Sequence, residues 1–231
     1  MARPRIYIDG QEGTTGLRIR ELLGGRDDLE QELIPAARRR DPEARREYLN
    51  RVDLAILCLP DDAAGEAVAL IDSPAVRVID TSTARRTAAG WVYGLPELEP
   101  GQRQAIRAAR RVANPGCYPV GFLLAVRPLV EAGLLDPGTP LTVNAVSGYS
   151  GGGRRMIETY QSAAPAARGD APMPLCLYGL DLQHKHLAEM QHYSLCQRAP
   201  LFVPSVDHAF CGMVTSTPIP AAHLAGGGVG P

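Results

Sequence analysis

Cys117 lies in the run Asn114-Pro115-Gly116-Cys117-Tyr118-Pro119, directly after a turn-forming dipeptide and directly before a long apolar stretch. That placement sets the sulfur at the amino end of a helix. The helix dipole and the free amide donors there favour thiolate over thiol. The same amides can hold an oxyanion forming on a carbonyl next to the sulfur. An attacking thiolate needs such a place, whereas a packing cysteine does not. The other cysteines, Cys58, Cys176, Cys196 and Cys211, stand in apolar or strand-like runs and read as structural.

A nucleophilic thiolate also needs a proton shuttle, and histidine titrates near neutral pH. The chain has His184, His186, His192, His208 and His223. The first two fall in Asp181-Leu-Gln-His-Lys-His-Leu-Ala-Glu189, which gathers two imidazoles, a lysine and a carboxylate. Acid/base or substrate-binding duty is the favoured reading. Metal chelation by the pair with Glu189 competes, and Glu189 with His192 has the E-x-x-H spacing of di-iron helices. That motif needs a second copy and further carboxylates, which the sequence does not offer, so no metal is expected. A third element, Ser147-Gly148-Tyr149-Ser150 through Arg154-Arg155, is a glycine turn after a strand. Its amides, its hydroxyls and Arg154 are expected to bind a substrate phosphate or carboxylate.

Near the start, Asp9-Gly10-Gln11-Glu12-Gly13-Thr14-Thr15-Gly16 separates a strand pattern from a helix pattern. Glycines there let the chain turn tightly and let a pyrophosphate approach the helix amides. The spacing is G-x-x-G-x-x-G rather than the usual G-x-G-x-x-G, and the strand-before, helix-after context carries the reading. Gly10, Gly13, Thr14, Thr15 and Gly16 are the expected cofactor contacts. The second strand, near Glu32 to Pro35, is followed by Ala36-Ala-Arg38-Arg39-Arg40. Arginines at that point suit a 2′-phosphate, which favours NADP(H) over NAD, with Arg38 as the contact.

These groups need elements to position them. Arg5–Asp9, Val52–Leu59 and Val76–Asp80 read as buried strands, with helices over Leu17–Leu23 and Ala63–Ile71 between them, the second capped by Asp61 or Asp62. Alternating strands and helices imply a parallel sheet. After residue 115 the pattern changes. A helix over Tyr118–Leu135 must take Pro119 in its first turn and kink or break at Pro128. Strands are expected over Pro140–Ser147, Leu201–Val206 and Met213–Ile219, and a helix over Arg154–Ser162. The fold class is therefore α/β: a Rossmann-like parallel-sheet domain over 1–115, then an α+β substrate and dimerisation domain with a mixed or antiparallel sheet over 116–220. Residues 163–174 read as a mobile loop and 221–231 as a flexible tail.

Length allows one large or two small domains among 231 residues. With 24 basic and 25 acidic side chains, no global field draws nucleic acid or an anionic membrane. No secretory signal or membrane-length apolar run is seen, and an odd cysteine count without C-x-x-C suits a reducing cytoplasm.

Seven stretches, "IYIDGQEGTTGLRIRELL", "DLAILCLPDDAAGEAVALI", "VIDTSTARR", "GWVYGLPEL", "NPGCYP", "AVSGYSGGGRRMI" and "YGLDLQHKHLAEM", together resemble the N-acetyl-γ-glutamyl-phosphate reductases of arginine biosynthesis, in their shorter second type. The aspartate-semialdehyde dehydrogenases are more distantly similar. The resemblance implies Cys117 as nucleophile and an acid/base histidine in the His184/His186 pair. His184 is favoured, with His186, Glu189, Ser147, Gly148 and Arg154 on the substrate. It implies attack on the γ-acyl phosphate of a small-molecule substrate, loss of phosphate, hydride reduction of a thioester by NADPH, and release of the semialdehyde. It also implies a homo-oligomer built through the second domain's sheet. The match loosens after Gln191, and family members continue beyond the point where this sequence stops. A shortened form lacking the closing segment is therefore expected. The alternatives kept open are a catalytically dead nucleotide-binding remnant, a related acyl-phosphate reductase and a cysteine hydrolase without nicotinamide.

Overall fold

The computed structural model describes residues 2–162 and 175–226. The expected loop at 163–174 and the end of the expected tail, 227–231, lie outside the described residues. The chain falls into two compact units, divided between Pro115 and Gly116.

The first unit is a six-stranded, all-parallel sheet in the order β2-β1-β3-β4-β6-β5. Its strands are β1 (Arg5–Asp9), β2 (Glu30–Glu32), β3 (Leu54–Leu57), β4 (Arg77–Asp80), β5 (Val92–Tyr93) and β6 (Arg111–Ala113). Helices α1 (Thr14–Leu23), α2 (Pro42–Asn50), α3 (Asp61–Ala69) and α4 (Gln102–Ala108) connect them. Side chains alternate across a strand. Tyr7, Ala55, Leu57 and Val78 therefore pack with Ala44, Leu49 and Ala67 of α2 and α3 on one face. Ile6, Ile8 and Ile56 pack with Ile19 and Leu23 of α1 on the other. A sheet covered on both faces explains why β3 reads as an unbroken apolar run.

The second unit is a four-stranded mixed sheet, β10-β7-β9-β8, made of β7 (Thr142–Gly148), β8 (Cys176–Leu177), β9 (Leu201–Asp207) and β10 (Met213–Ser216). β7 runs parallel to β9, and the two edge pairings are antiparallel. Helix α5 (Cys117–Glu131) covers the inner face, and α6 (Gly153–Ser162) and α7 (Leu187–Ser194) complete the unit. Tyr118, Phe122, Leu123 and Val126 of α5 are buried, as are Val143, Ala145, Phe202 and Val206 of the sheet.

Three local expectations are corrected. Helix α5 does not break at Pro128; the proline lies inside it and the helix runs on to Glu131. Pro128 and Leu124, whose carbonyl loses its helical donor, both face solvent, where water can replace the missing bond. Asp61 does not cap α3. The helix starts at Asp61 with Pro60 before it, and the carboxylate instead accepts from the backbone N–H of Thr83 at 2.8 Å and from its hydroxyl. The second strand ends at Glu32, where the expectation had it begin.

Candidate active site

In the first unit the glycine turn joins β1 to α1. Gly10 has φ +88°, and a Cβ there would lie 2.3 Å from the carbonyl oxygen of Cys58. A Cβ on Gly16 would lie 2.2 Å from the carbonyl of Gly10. Both positions are held to glycine by backbone passing close by. Gly13 sits at the N-cap of α1 with no side-chain cap and no acidic residue in the first turn. Thr14 and Thr15 form that turn. Unblocked amides at a helix start, with the positive end of the dipole behind them, are the donor set a pyrophosphate requires. Asp9, just before the turn, is buried and paired with Arg45 at 2.8 Å, so this carboxylate is neutralised by the protein itself.

The arginines after β2 are arranged unequally. Arg38 is paired with Glu47 at 3.5 Å and approaches Asp41 at 4.0 Å. Arg39 and Arg40 are exposed, with no ion pair among the described residues.

In the second unit Cys117 is the first residue of α5 and is exposed. The turn below it is fastened: the N–H of Gly116 donates to Glu189 Oε2 at 3.0 Å. Glu189 belongs to the first turn of α7, 73 residues away in sequence, and is only 2 % exposed. Tyr118, the next residue along, donates from its hydroxyl to Ser147 Oγ at 2.8 Å and accepts from the Tyr178 hydroxyl at 3.1 Å. Burial and the Tyr118 hydroxyl push the Tyr178 hydroxyl well above the usual phenol range, so it serves as a proton-bearing donor.

The histidine pair joins this cluster. The His184 ring lies 4.6 Å from that of His186 and 6.3 Å from that of Tyr118, centroid to centroid; the His186 ring is 5.8 Å from Tyr118. The backbone N–H of His186 donates to Nδ1 of His184 at 3.2 Å. An accepting Nδ1 bears no proton, so neutral His184 carries its proton on Nε2. Burial lowers its pKa from 6.5, Lys185 lowers it further and Asp181 opposes them. His186 is buried, 6 % exposed, at the start of α7.

The loop Ser147–Arg155 differs from expectation. The N–H of Gly148 donates to Gly212 O at 2.9 Å, that of Tyr149 to Ala209 O at 3.0 Å and that of Ser150 to Phe210 O at 2.9 Å. These three amides are engaged by the 209–212 segment and are not open to an anion. Gly148 is a glycine because a Cβ would lie 2.6 Å from the amide nitrogen of Cys211. Ser147 is brought to Tyr118, and Arg154 is exposed at the start of α6.

Cysteine exposure also departs from the reading. Cys58 is half-buried and its thiol is pushed up to about 11 by burial, and Cys196 is buried, but Cys176 and Cys211 are exposed, like Cys117. What sets Cys117 apart is its helix start and pinned turn. Sequence reasoning missed Tyr118 and Tyr178. The first was marked only by adjacency to the nucleophile, the second by nothing local.

Two family models match the chain: "Semialdehyde dehydrogenase, NAD binding domain" over residues 31–108 and "Semialdehyde dehydrogenase, dimerisation domain" over 117–226. The N-acetyl-gamma-glutamyl-phosphate reductase 2 of Nostoc sp. is 51 % identical over 221 residues, 95 % of this chain and 69 % of that protein. The reductase of Rhizobium meliloti is 51 % identical over 226 residues, 97 % of this chain and 72 % of its own. Among solved structures, aspartate semialdehyde dehydrogenase II of Vibrio cholerae superposes with a TM-score of 0.68 at 17 % identity, covering 96 % of this chain and 77 % of that one. The NADP-bound aspartate semialdehyde dehydrogenase of Candida albicans gives 0.62 at 14 %, covering 94 % and 71 %. The structural likeness establishes the fold, and half-identity across nearly the whole sequence establishes the kinship: the chain belongs to the N-acetyl-γ-glutamyl-phosphate reductase family.

Proposed function

We propose that this chain reduces N-acetyl-γ-glutamyl phosphate to N-acetylglutamate semialdehyde through a thioester on Cys117. The observation that carries the reading is a cysteine at the first position of α5 whose turn is pinned through the Gly116 amide by a buried carboxylate. The Cys117 sulfur attacks the acyl carbon, and the amides at the start of α5 hold the oxyanion. The acyl–oxygen bond breaks and phosphate leaves with the electron pair. The thioester that remains is more electrophilic than a carboxylate. NADPH, when bound, supplies the hydride that takes this thioester to the aldehyde level. Collapse then breaks the carbon–sulfur bond, giving the semialdehyde and the thiolate.

The proton work falls to the histidine pair, and one hydrogen bond supports reading His186, rather than His184, as the acid/base. To become cationic, His184 would place a proton on Nδ1, facing the N–H that already donates there. His184 therefore serves as a neutral donor through Nε2 to the substrate oxygen. His186, three residues before Glu189, is the acid/base. Glu189 positions the nucleophile's turn, Ser147 stays with Tyr118, and Arg154 attracts the substrate's negative charge.

The cofactor fits the first unit: Gly10 and Gly16 let the backbone fold tightly at the start of α1, and the amides of Thr14 and Thr15 there face no capping side chain. Arg39 and Arg40, unpaired among the described residues, are better placed than Arg38 alone to attract a 2′-phosphate.

The outer face of the mixed sheet supports self-association. Val146, Val214, Leu177 and Leu201 are exposed, and Val146 pairs with Val214 across β7 and β10. We read this face as the homo-oligomer contact. Val214→Lys should shift sedimentation toward the monomer, and unchanged sedimentation would remove that face from the assembly. No described helix is long and apolar enough to cross a membrane. A reducing cytoplasm is the compartment in which the proposed thiol chemistry persists.

The test is the reverse reaction. Semialdehyde, phosphate and NADP should yield NADPH, with NAD a poorer substrate. Phosphate-independent oxidation or none, from folded protein, refutes the reading.

A further inference from the structure

We propose that a pocket in the second unit, between α6 and strands β8 and β9, receives the N-acylated, carboxylate-bearing end of the substrate, with Arg155 pairing the carboxylate. This rests on the substrate class proposed above and adds the part of the molecule that distinguishes that substrate from a shorter, non-acylated acyl phosphate.

The pocket measures about 320 Å³ and is bordered by Arg155, Met156, Thr159, Tyr160, Tyr178 and Val206, together with Gly152 and Cys176. Its lining is mainly apolar and aromatic, which suits an acetyl methyl and a short methylene chain. Two of its lining tyrosines are held by further contacts. Tyr160 is buried and stacked on Tyr149, with ring centroids 4.9 Å apart and planes 14° apart. Tyr178 is held through its hydroxyl to Tyr118.

Tyr178 also joins the pocket to the reacting group. Its ring lies 5.8 Å from that of His184, and its hydroxyl bonds the residue that directly follows Cys117. A ligand resting against Tyr178 therefore lies beside the cluster that surrounds the nucleophile. An N-acetylglutamyl group needs such adjacency, because only two methylenes separate its reacting carbonyl from the carbon bearing the acetamide and the carboxylate.

Arg155 supplies the charge. It borders the pocket, is exposed, and makes no ion pair with any described carboxylate, unlike Arg127 or Arg45. Its carbonyl is engaged by the Thr159 hydroxyl at 2.9 Å, which fixes the local helix turn and leaves the guanidinium available. A guanidinium at the rim of an apolar pocket matches a carboxylate bidentately.

Three ligands that need no turnover separate the parts. N-acetylglutamate carries both the acetamide and the α-carboxylate, glutarate lacks the acetamide, and 4-acetamidobutyrate lacks the α-carboxylate. Calorimetric titration of the wild-type chain should rank N-acetylglutamate above both. Arg155→Gln should weaken N-acetylglutamate and glutarate by about tenfold or more while leaving 4-acetamidobutyrate unchanged. Arg155→Lys should recover part of the loss. Thr159→Phe, which fills the pocket, should weaken the two acetamides and spare glutarate. Near-ultraviolet circular dichroism identifies any variant that has lost its packing.

Equal losses for all three ligands, no loss in folded Arg155→Gln, or no binding by wild type would overturn the pocket assignment. The crossed pattern in a chain without phosphate-dependent turnover would uphold the pocket and reject the reductase reading. Turnover without the pattern would do the reverse.

Discussion

The two turns to which we assign this protein's chemistry are built by opposite means. The glycine turn in the first unit is made by backbone. Gly10 is fixed by the backbone carbonyl of Cys58, 2.3 Å from where a side chain would begin, and Gly16 by the carbonyl of Gly10 within the turn, at 2.2 Å. The cysteine turn in the second unit is made by distant side chains. Glu189 reaches it from 73 residues away, Tyr178 reaches Tyr118 from 60, and Tyr118 reaches Ser147 from 29. A binding site for a common cofactor can rest on backbone geometry, whereas a nucleophile is held by side chains from several elements. The first kind should tolerate side-chain changes around it and fail on glycine replacement. The second should fail when a remote partner is removed.

The largest effect should separate the two turns cleanly. Cys117→Ser should lower turnover by about 10³-fold or more and leave NADP affinity, read by fluorescence titration, unchanged. A variant retaining a tenth of the activity would move the nucleophile elsewhere.

Next, Gly16→Ala should cost about 1–3 kcal/mol of stability and weaken NADP binding, because backbone rather than a flexible side chain must give way. Denaturant titration with the cofactor present and absent checks it, and a neutral result would mean the turn can relax.

Glu189→Ala should leave the Gly116 N–H without its partner and cost about 1–3 kcal/mol. Turnover should fall with it, and Glu189→Gln, which keeps an acceptor oxygen, should restore much of the stability. If Ala and Gln behave alike in both measurements, the pin is not what Glu189 provides.

The smallest effect concerns His184. Its pKa is lowered in the folded chain, so the unfolded chain binds the proton first as pH falls below about 6.5. The stability that the neutral ring contributes is therefore full above that value and declines as pH drops through it. His184→Asn, whose side-chain oxygen can accept the same His186 N–H, should keep the turn and flatten part of the decline in melting temperature between pH 7.5 and pH 5. An unaltered slope would place the titration elsewhere.

The same contrast decides what the sequence could reveal. The glycine turn, β1, the doubly covered β3 and the helix-start position of Cys117 were legible, because each is written in neighbouring residues. Continuation of α5 through Pro128 was not, since it depends on which side of the helix meets solvent. Nor was the engagement of the Gly148, Tyr149 and Ser150 amides, which required knowing that the 209–212 segment returns to them. The His184/His186 pair was visible as a pair. The division of labour proposed for them was not, because it turns on a single backbone N–H pointing at one ring nitrogen. Short elements such as β5, α4 and β6 lack enough periodicity to read, and the two strands take their place through pairing, β6 between β4 and β5.

Three exposed cysteines in one chain make the decisive measurement an internal comparison. Alkylation by iodoacetamide, followed peptide by peptide by mass spectrometry from pH 5.5 to 9, should show Cys117 reacting well ahead of Cys176 and Cys211 at pH 7 and losing that lead when substrate is bound. Three sulfurs modified at indistinguishable rates across that range would contradict the assignment of Cys117 as an activated nucleophile.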